Sequence, residues 1–407
     1  MSVNIYPNIT LDGNNYENVV VADVTYEDDF EPKGSEASFY EQTSTHREII
    51  FCIDCSGSME ATLPMVKKSL LSFRDIIIDG IPILSKETAL RHHSNIRLIT
   101  FNAQVKEVWS SDASNNSIYE DAVMGLFAIG STNLGDALEL SLSKVSEHRA
   151  TWIVVLTDGK SNHGPYQTKE SFEKFAKKIP ENVKIIPLGY GTEFDVDILC
   201  SLGAYTYLED IESIPSVIGS LAYEFMFSWG FNSKFMFEGP IKKNIIGKES
   251  LGCIYKDRSY IYAFTTSLEA PKELCLTFTH IGKDGLKQKS IIYPIGLSAN
   301  PSKKIIKAYY ASVYADILMN IHRSSDLSQA MSRLESWDNE ESSEYKESLL
   351  RVFKLTKESI GKKELRMRTC SYGISVTAQL SYADPATQSP MMKQFAHLSV
   401  NKSRDYN

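Results

Sequence analysis

At 407 residues the chain has room for two or three domains, each able to bury a core of its own. A formal net charge of −8, with the basic residues dispersed and no arginine-rich or aromatic-interleaved stripe, turns it away from nucleic acid as a partner. No stretch approaches the ~20 apolar residues of a membrane span, and Met1-Ser2-Val3-Asn4-Ile5-Tyr6-Pro7 lacks the charged and apolar regions of a secretion leader. A soluble, cytoplasmic protein is expected.

In chain order, residues 1–45 hold strand candidates, notably Asn18 to Val24, and an acidic segment from Asp23 to Glu31 that reads as a solvated loop. Glu48-Ile49-Ile50-Phe51-Cys52-Ile53 reads as a buried strand, so Asp54-Cys55-Ser56-Gly57-Ser58 places a carboxylate and two hydroxyls just beyond a strand's carboxyl end. Open α/β sheets bind their ligands there. Leu63, Val66, Leu70, Phe73, Ile76 and Ile77 then recur at helical spacing, and Ile96–Phe101 with Val105–Trp109 look like a strand pair. Gly130-Ser131-Thr132-Asn133-Leu134-Gly135 opens a helix expected from Leu134 to Glu147 with Leu138, Leu142 and Val145 on its apolar face. Thr151 to Gly159 is a second buried strand, ending in Asp158-Gly159. An amphipathic helix from Lys169 to Lys178, a strand from Val183 to Gly189, and a last unit from Phe194 to Glu209 follow, with Asp195 and Asp197 read as helix caps. Short apolar runs alternating with helical periodicity over residues 46–228 predict a parallel sheet with helices on both faces.

Asp54, Ser56 and Ser58 in a D-x-S-x-S pattern, Thr132 before a helix and Asp158 after a strand together resemble the metal-ion-dependent adhesion site (MIDAS) of the von Willebrand factor A (VWA) family. The resemblance implies a Rossmann-like, doubly wound α/β domain in which these five residues surround one divalent cation. It also implies a partner protein that offers an Asp or Glu carboxylate to that ion. The chemistry agrees: Mg²⁺ seeks near-octahedral oxygen, keeps several waters and usually takes one or two carboxylates, while Mn²⁺ and Ca²⁺ suit oxygen ligands as well. The lack of histidine or thiolate among the five argues against Zn²⁺ or copper. Cys52 and Cys55 form a C-x-x-C, but strand alternation sets residues three apart on opposite faces, and Cys52 is expected to be core packing.

Beyond Trp229 the texture changes. Lys234–Glu238, Ser259–Phe264, Leu274–Thr279 and Ser290–Tyr293 read as strands, and helical periodicity returns over 301–362, with Ile305, Tyr309, Val313, Ile317 and Ile321 on one face. Tyr372 to Ala378 is a final strand candidate within residues 363–407, which otherwise read as a polar tail. Because a few strands cannot stand alone, residues 1–45 are expected to join 229–300 in a β-sandwich, making the A domain an insertion. The order of these regions resembles A-domain proteins that carry a β-rich and helical Vwaint region.

An enzyme is not expected. His163, five residues after Asp158, is read as a solvated loop histidine, His92-His93 has no acidic companion at metal spacing, and neither a phosphate loop nor a nucleophile elbow occurs. The expectation is an interaction or scaffold protein acting through the metal, with the loops Glu107–Ser117 and Lys160–Thr168 selecting the partner. Its alternatives are a coat-like assembly protein with a structural metal, or an accessory subunit of a ubiquitin-transfer or AAA ATPase machine.

Overall fold

The structure is a computed structural model that describes residues 2–11, 14–24, 46–79, 95–111, 118–236 apart from 192, 204 and 209, then the strands between 241 and 297, isolated helical positions between 328 and 354, and 390–406. The helical region of 301–362 and the strand candidate at Tyr372–Ala378 therefore lie outside the described residues, apart from those isolated positions.

Strands β1 (Ser2–Leu11) and β2 (Asn14–Val24) form an antiparallel pair ahead of an α/β unit. That unit runs β3 (Arg47–Asp54), α1 (Leu63–Asp79), β4 (Asn95–Phe101), β5 (Val105–Ser110), α2 (Tyr119–Met124), α3 (Leu134–Ser143), β6 (Ala150–Thr157), α4 (Lys169–Ala176), β7 (Val183–Tyr190), α5 (Val196–Leu202), β8 (Thr206–Leu208) and α6 (Ser213–Phe227). Its six-stranded sheet has the order β5-β4-β3-β6-β7-β8, parallel throughout except for the antiparallel β4–β5 hairpin. β3 and β6 sit at the centre and are buried at every position, which is why both read as unbroken apolar runs.

The pleat divides the side chains between two cores. Ile49, Phe51 and Ile53 meet α1 and α6 on one face, whereas Ile50 and Cys52 meet α3, α4 and α5 on the other. Cys52 and Cys55 fall in different cores and both are free thiols, as the alternation argument required. Asp195 caps α5 by accepting from the N–H groups of Asp197 and Ile198, while Asp197 lies in the helix's first turn. The expected helix ends at Glu147 and Lys178 are too late. α3 stops at Ser143 because the chain turns through 144–149, where the Asn182 side-chain amide donates to the carbonyls of Ser146 and Arg149 at 2.8 Å each.

α6 runs directly into β9 (Ser228–Met236), and six more strands follow: β10 (Ile241–Ile246), β11 (Ser250–Tyr255), β12 (Tyr260–Thr266), β13 (Glu273–Gly282), β14 (Gly285–Pro294) and β15 (Gly296–Leu297). They form two sheets, β10-β12-β2-β1-β15 and β11-β9-β13-β14. The first two strands of the chain thus share a sheet with strands that follow the α/β unit. The buried Arg47 guanidinium joins the start of the unit to its end, donating to the carbonyls of Phe225 and Ser228 at 2.7 Å and to that of Met226. Trp152 stacks edge-on against Phe225 at 5.2 Å and Phe231 at 5.1 Å, and buried Glu224, paired with the partly buried Lys184, lies beside it.

Residues 390–405 correct the reading of a polar tail. They form helix α7 (Pro390–Asp405), which packs on α6 and α1 through buried Met392, Phe395, Ala396, Ser399 and Ser403. The approach is close: a Cβ added to Gly219 of α6 would lie 2.5 Å from the Phe395 carbonyl oxygen. Ser72 of α1 donates to the Ser399 carbonyl at 3.1 Å, and the Tyr406 hydroxyl bonds the Asp75 carboxylate. None of the helices described is long and apolar enough to cross a membrane.

Candidate metal centre

The carboxyl ends of β3 and β6 lie side by side at the centre of the sheet, and the chain must turn there because each strand is followed by a small or hydroxyl-bearing run. Asp54 ends β3 with a fully buried side chain. Its Oδ1 accepts the Ser56 backbone N–H at 2.8 Å, which folds the turn back on the strand, and its Oδ2 accepts the Thr157 hydroxyl from β6 at 2.5 Å. Ser56 and Ser58 hydroxyls lie 3.2 Å apart, and Ser58 donates to Asp158 Oδ1 at 2.7 Å. Asp54, Ser56, Ser58 and Asp158 thereby form one polar cluster drawn from two strands.

Thr132 enters from the loop before α3. Asn162 holds its backbone from both sides: the side-chain carbonyl accepts the Thr132 N–H at 2.9 Å, and the Asn162 N–H donates to the Thr132 carbonyl at 3.0 Å. The residue is only 3% exposed, and its hydroxyl has no hydrogen-bond partner among the described residues. Gly159 borders the same space, for a Cβ there would lie 3.3 Å from the Thr132 hydroxyl and 3.9 Å from that of Ser58. The five residues singled out in the sequence are thus brought together, with an uncommitted hydroxyl at the place where a glycine keeps room.

Electrostatics point the same way. Burial, partly offset by the Thr157 and Ser56 hydrogen bonds, pushes Asp54 up from 3.8 to about 6, and burial also raises Asp158. Two carboxylates in one buried cluster call for a compensating positive charge at neutral pH. The donor set is two carboxylates and three hydroxyls, all hard oxygen and suited to a divalent cation. Among the described residues no group of three or more His, Cys, Asp or Glu gathers as a metal site, so the nitrogen and sulfur centres have no counterpart there.

The remaining sequence candidates fare unevenly. His163 has an exposed side chain, and its backbone N–H donates to the Thr132 carbonyl at 3.2 Å. His92-His93 lies outside the described residues. Glu107 is corrected: it belongs to β5, where Arg97 at 2.8 Å and Lys144 at 2.9 Å hold its carboxylate below the usual range, and residues 112–117 of that expected loop are outside the described set. The Lys160–Thr168 loop does flank the site through Asn162 and is closed by a 2.8 Å bond from the Ser161 hydroxyl to the Tyr166 carbonyl. Thr157, Gly159 and Asn162 were missed. The first two adjoin Asp158 in sequence and could have been suspected, whereas nothing in a polar loop marks Asn162.

Residues 48–217 match the von Willebrand factor type A domain. Among solved structures, a von Willebrand factor type A protein from Catenulispora acidiphila overlays with a TM-score of 0.61 at 13% identity, covering 92% of this chain and 96% of its own. The ArnB paralog VWA2 from Sulfolobus acidocaldarius overlays with a TM-score of 0.51 at 14% identity, over 92% and 97% of the two chains. Proximal thread matrix protein 1 from the mussel byssus, in a form whose MIDAS motif is occupied by zinc, reaches a TM-score of 0.35 at 21% identity over 44% and 46%. No curated protein sequence matches the chain. Residues 48–217 are therefore a VWA domain of Rossmann-like α/β fold with a mostly parallel central sheet.

Proposed function

We propose that this VWA domain is a divalent-metal-dependent protein-binding module, with Asp54, Ser56, Ser58, Thr132 and Asp158 holding one cation that takes an Asp or Glu carboxylate from a partner protein. The reading rests most on one observation. Five oxygen-bearing side chains from separate stretches meet at the sheet's carboxyl end, four of them linked by hydrogen bonds and the Thr132 hydroxyl beside them across Gly159. Mg²⁺ is the first candidate, with Mn²⁺ or Ca²⁺ suited to the same oxygens. The bound ion would supply an electrophilic, oxygen-seeking centre. The chain's own residues fix its ligands: Thr157 and the Ser56 backbone orient Asp54, Ser58 orients Asp158, and Asn162 orients Thr132.

In this reading the protein is a non-enzymatic, cytoplasmic interaction or scaffold protein. The two outer sheets form a sandwich that carries the VWA domain as an insertion and sets its orientation, in the manner of a Vwaint region. A second reading is a coat-like scaffold whose metal is only structural, the ion adding to the Asp54–Thr157 bond at 2.5 Å in joining the two central strands.

One experiment separates them: capture of cell proteins on wild type and on Asp54→Ala, each with Mg²⁺ and with EDTA, alongside thermal melts. Metal-dependent binding predicts specific partners lost in the variant and in EDTA while both proteins stay folded. An unchanged captured set with a lowered melting temperature would overturn it in favour of a structural ion.

A further inference from the structure

The segment leading into Thr132 carries an apolar surface that the five ligands do not use. Among the described residues, four of the five exposed large apolar side chains fall within residues 118–129: Ile118 (58% exposed), Met124 (56%), Phe127 (68%) and Ile129 (56%). Scattered exposed apolar residues need no explanation, but a contiguous group marks a docking surface.

The local structure makes this group a fixed shoulder. Buried Tyr119 and Val123 anchor α2, and the Lys67 ammonium donates to the Met124 carbonyl at 2.8 Å. After Gly125 the chain alternates: Leu126 is buried, Phe127 exposed, Ala128 packed against the core and Ile129 exposed, so Phe127 and Ile129 project to the same side. The Ile129 N–H donates to the Cys55 carbonyl at 2.8 Å and the Gly57 N–H to the Gly130 carbonyl at 3.0 Å. These bonds stitch the shoulder to the turn bearing Asp54, Ser56 and Ser58. Gly130, in the left-handed region at φ 81°, then redirects the chain to Thr132. Exposed Glu60 on the short helix after that turn and exposed Glu120 and Asp121 in the first turn of α2 outnumber the Lys67 ammonium held at the Met124 carbonyl, so the charge carried around these elements is net acidic.

We propose that this shoulder selects the partner: it takes a protein segment whose metal-directed Asp or Glu has a large apolar side chain one or two residues away and Lys or Arg beyond it. The inference rests on the metal–carboxylate reading above. A chain whose carboxylate approaches the ion from this side passes over the strip hydrogen-bonded to the ion's turn, where Phe127 and Ile129 are pre-positioned. The excess of carboxylates over the Lys67 ammonium disfavours further acids in that segment and favours bases.

The test uses the full chain and four synthetic peptides, each with one central Glu, whose neighbours are Leu or Ser and whose ends are Lys or Glu. Binding is read by fluorescence anisotropy in Mg²⁺ and in EDTA, for wild type and for a Phe127→Ser, Ile129→Ser double variant. In Mg²⁺ the Leu/Lys peptide should bind wild type at least about tenfold tighter than the Ser/Lys peptide and tighter than the Leu/Glu peptide. Both side chains replaced are mostly exposed, so the variant should keep the Mg²⁺-dependent rise in melting temperature while losing the preference for Leu. Equal binding of Leu and Ser peptides, or a Leu preference that survives in the variant, overturns the inference and leaves the metal–carboxylate reading standing. If the melts show metal binding but no peptide binds better in Mg²⁺ than in EDTA, both fall.

Discussion

Replacing Phe395 with alanine should destabilise the protein by about 4 kcal/mol, within the range for a fully buried phenylalanine. Phe395 is 0% exposed on α7, its ring 5.5 Å from that of Tyr223 and 5.6 Å from that of Phe227, both edge-on. The cost belongs in the middle of the range or above because the hole cannot close. α7 already touches α6 backbone to backbone at Gly219, where an added Cβ would come 2.5 Å from the Phe395 carbonyl and 2.7 Å from the Ser399 Cβ. Gly219→Ala attacks the same contact from the other helix and should cost about 1–3 kcal/mol by overpacking. Lys393 is exposed on the same helix, and Lys393→Ala should stay within about 0.5 kcal/mol. Urea denaturation of the full chain, read at constant m, measures all three. A cost below about 1 kcal/mol for Phe395→Ala would show that α7 is not docked in solution, and the packing of α7 on α6 and α1 described above would fall.

The buried carboxylates give a pH dependence. Asp54 is raised from 3.8 to about 6, so in EDTA its contribution is fully present below about pH 3.8 and is lost as pH rises through about 6, a change of roughly 3 kcal/mol at most. Asp158, also raised, adds in the same direction. Relative to Asp54→Asn, metal-free wild type should therefore lose stability from pH 4 to 7; parallel curves in urea would refute the assignment. Mg²⁺ must compete with the Asp54 proton, so the Mg²⁺-induced rise in melting temperature should shrink as pH falls below about 6. Gly159→Ala would place a Cβ 3.3 Å from the Thr132 hydroxyl, and should weaken metal binding several-fold by calorimetry while moving the metal-free melting temperature by only a few degrees.

Legibility in the sequence followed the physics of each part. The central strands announced themselves because burial on both faces demands unbroken apolar runs, as in Ile49–Ile53 and Trp152–Leu156. Asp54, Ser56, Ser58 and Asp158 could be placed near one another because the ends of two adjacent strands hold them, whereas Thr132 comes from the loop before α3 and Asn162 from a polar loop that only tertiary folding brings to it. α7 was misread for a specific reason. Its buried stripe mixes Met392, Phe395 and Ala396 with Ser399 and Ser403, and serine at helical spacing looks solvated unless the facing helix offers glycine and serine, as Gly219 and Ser72 do here. The end of α3 was overrun because Val145 continues the helical spacing of Leu138 and Leu142 while the chain already turns. The shoulder at residues 118–129 gave no periodic signal, since its exposed residues are as apolar as its buried ones.

The measurement that bears most directly on the central claim is calorimetric titration of the full chain with Mg²⁺, Mn²⁺, Ca²⁺ and Zn²⁺, for wild type, Asp54→Ala and Thr132→Ala. The account predicts one divalent ion bound per chain in wild type, no binding in Asp54→Ala, and weakened binding in Thr132→Ala with the fold intact. Wild-type protein that binds none of the four ions, or that binds them equally well in both variants, would contradict it.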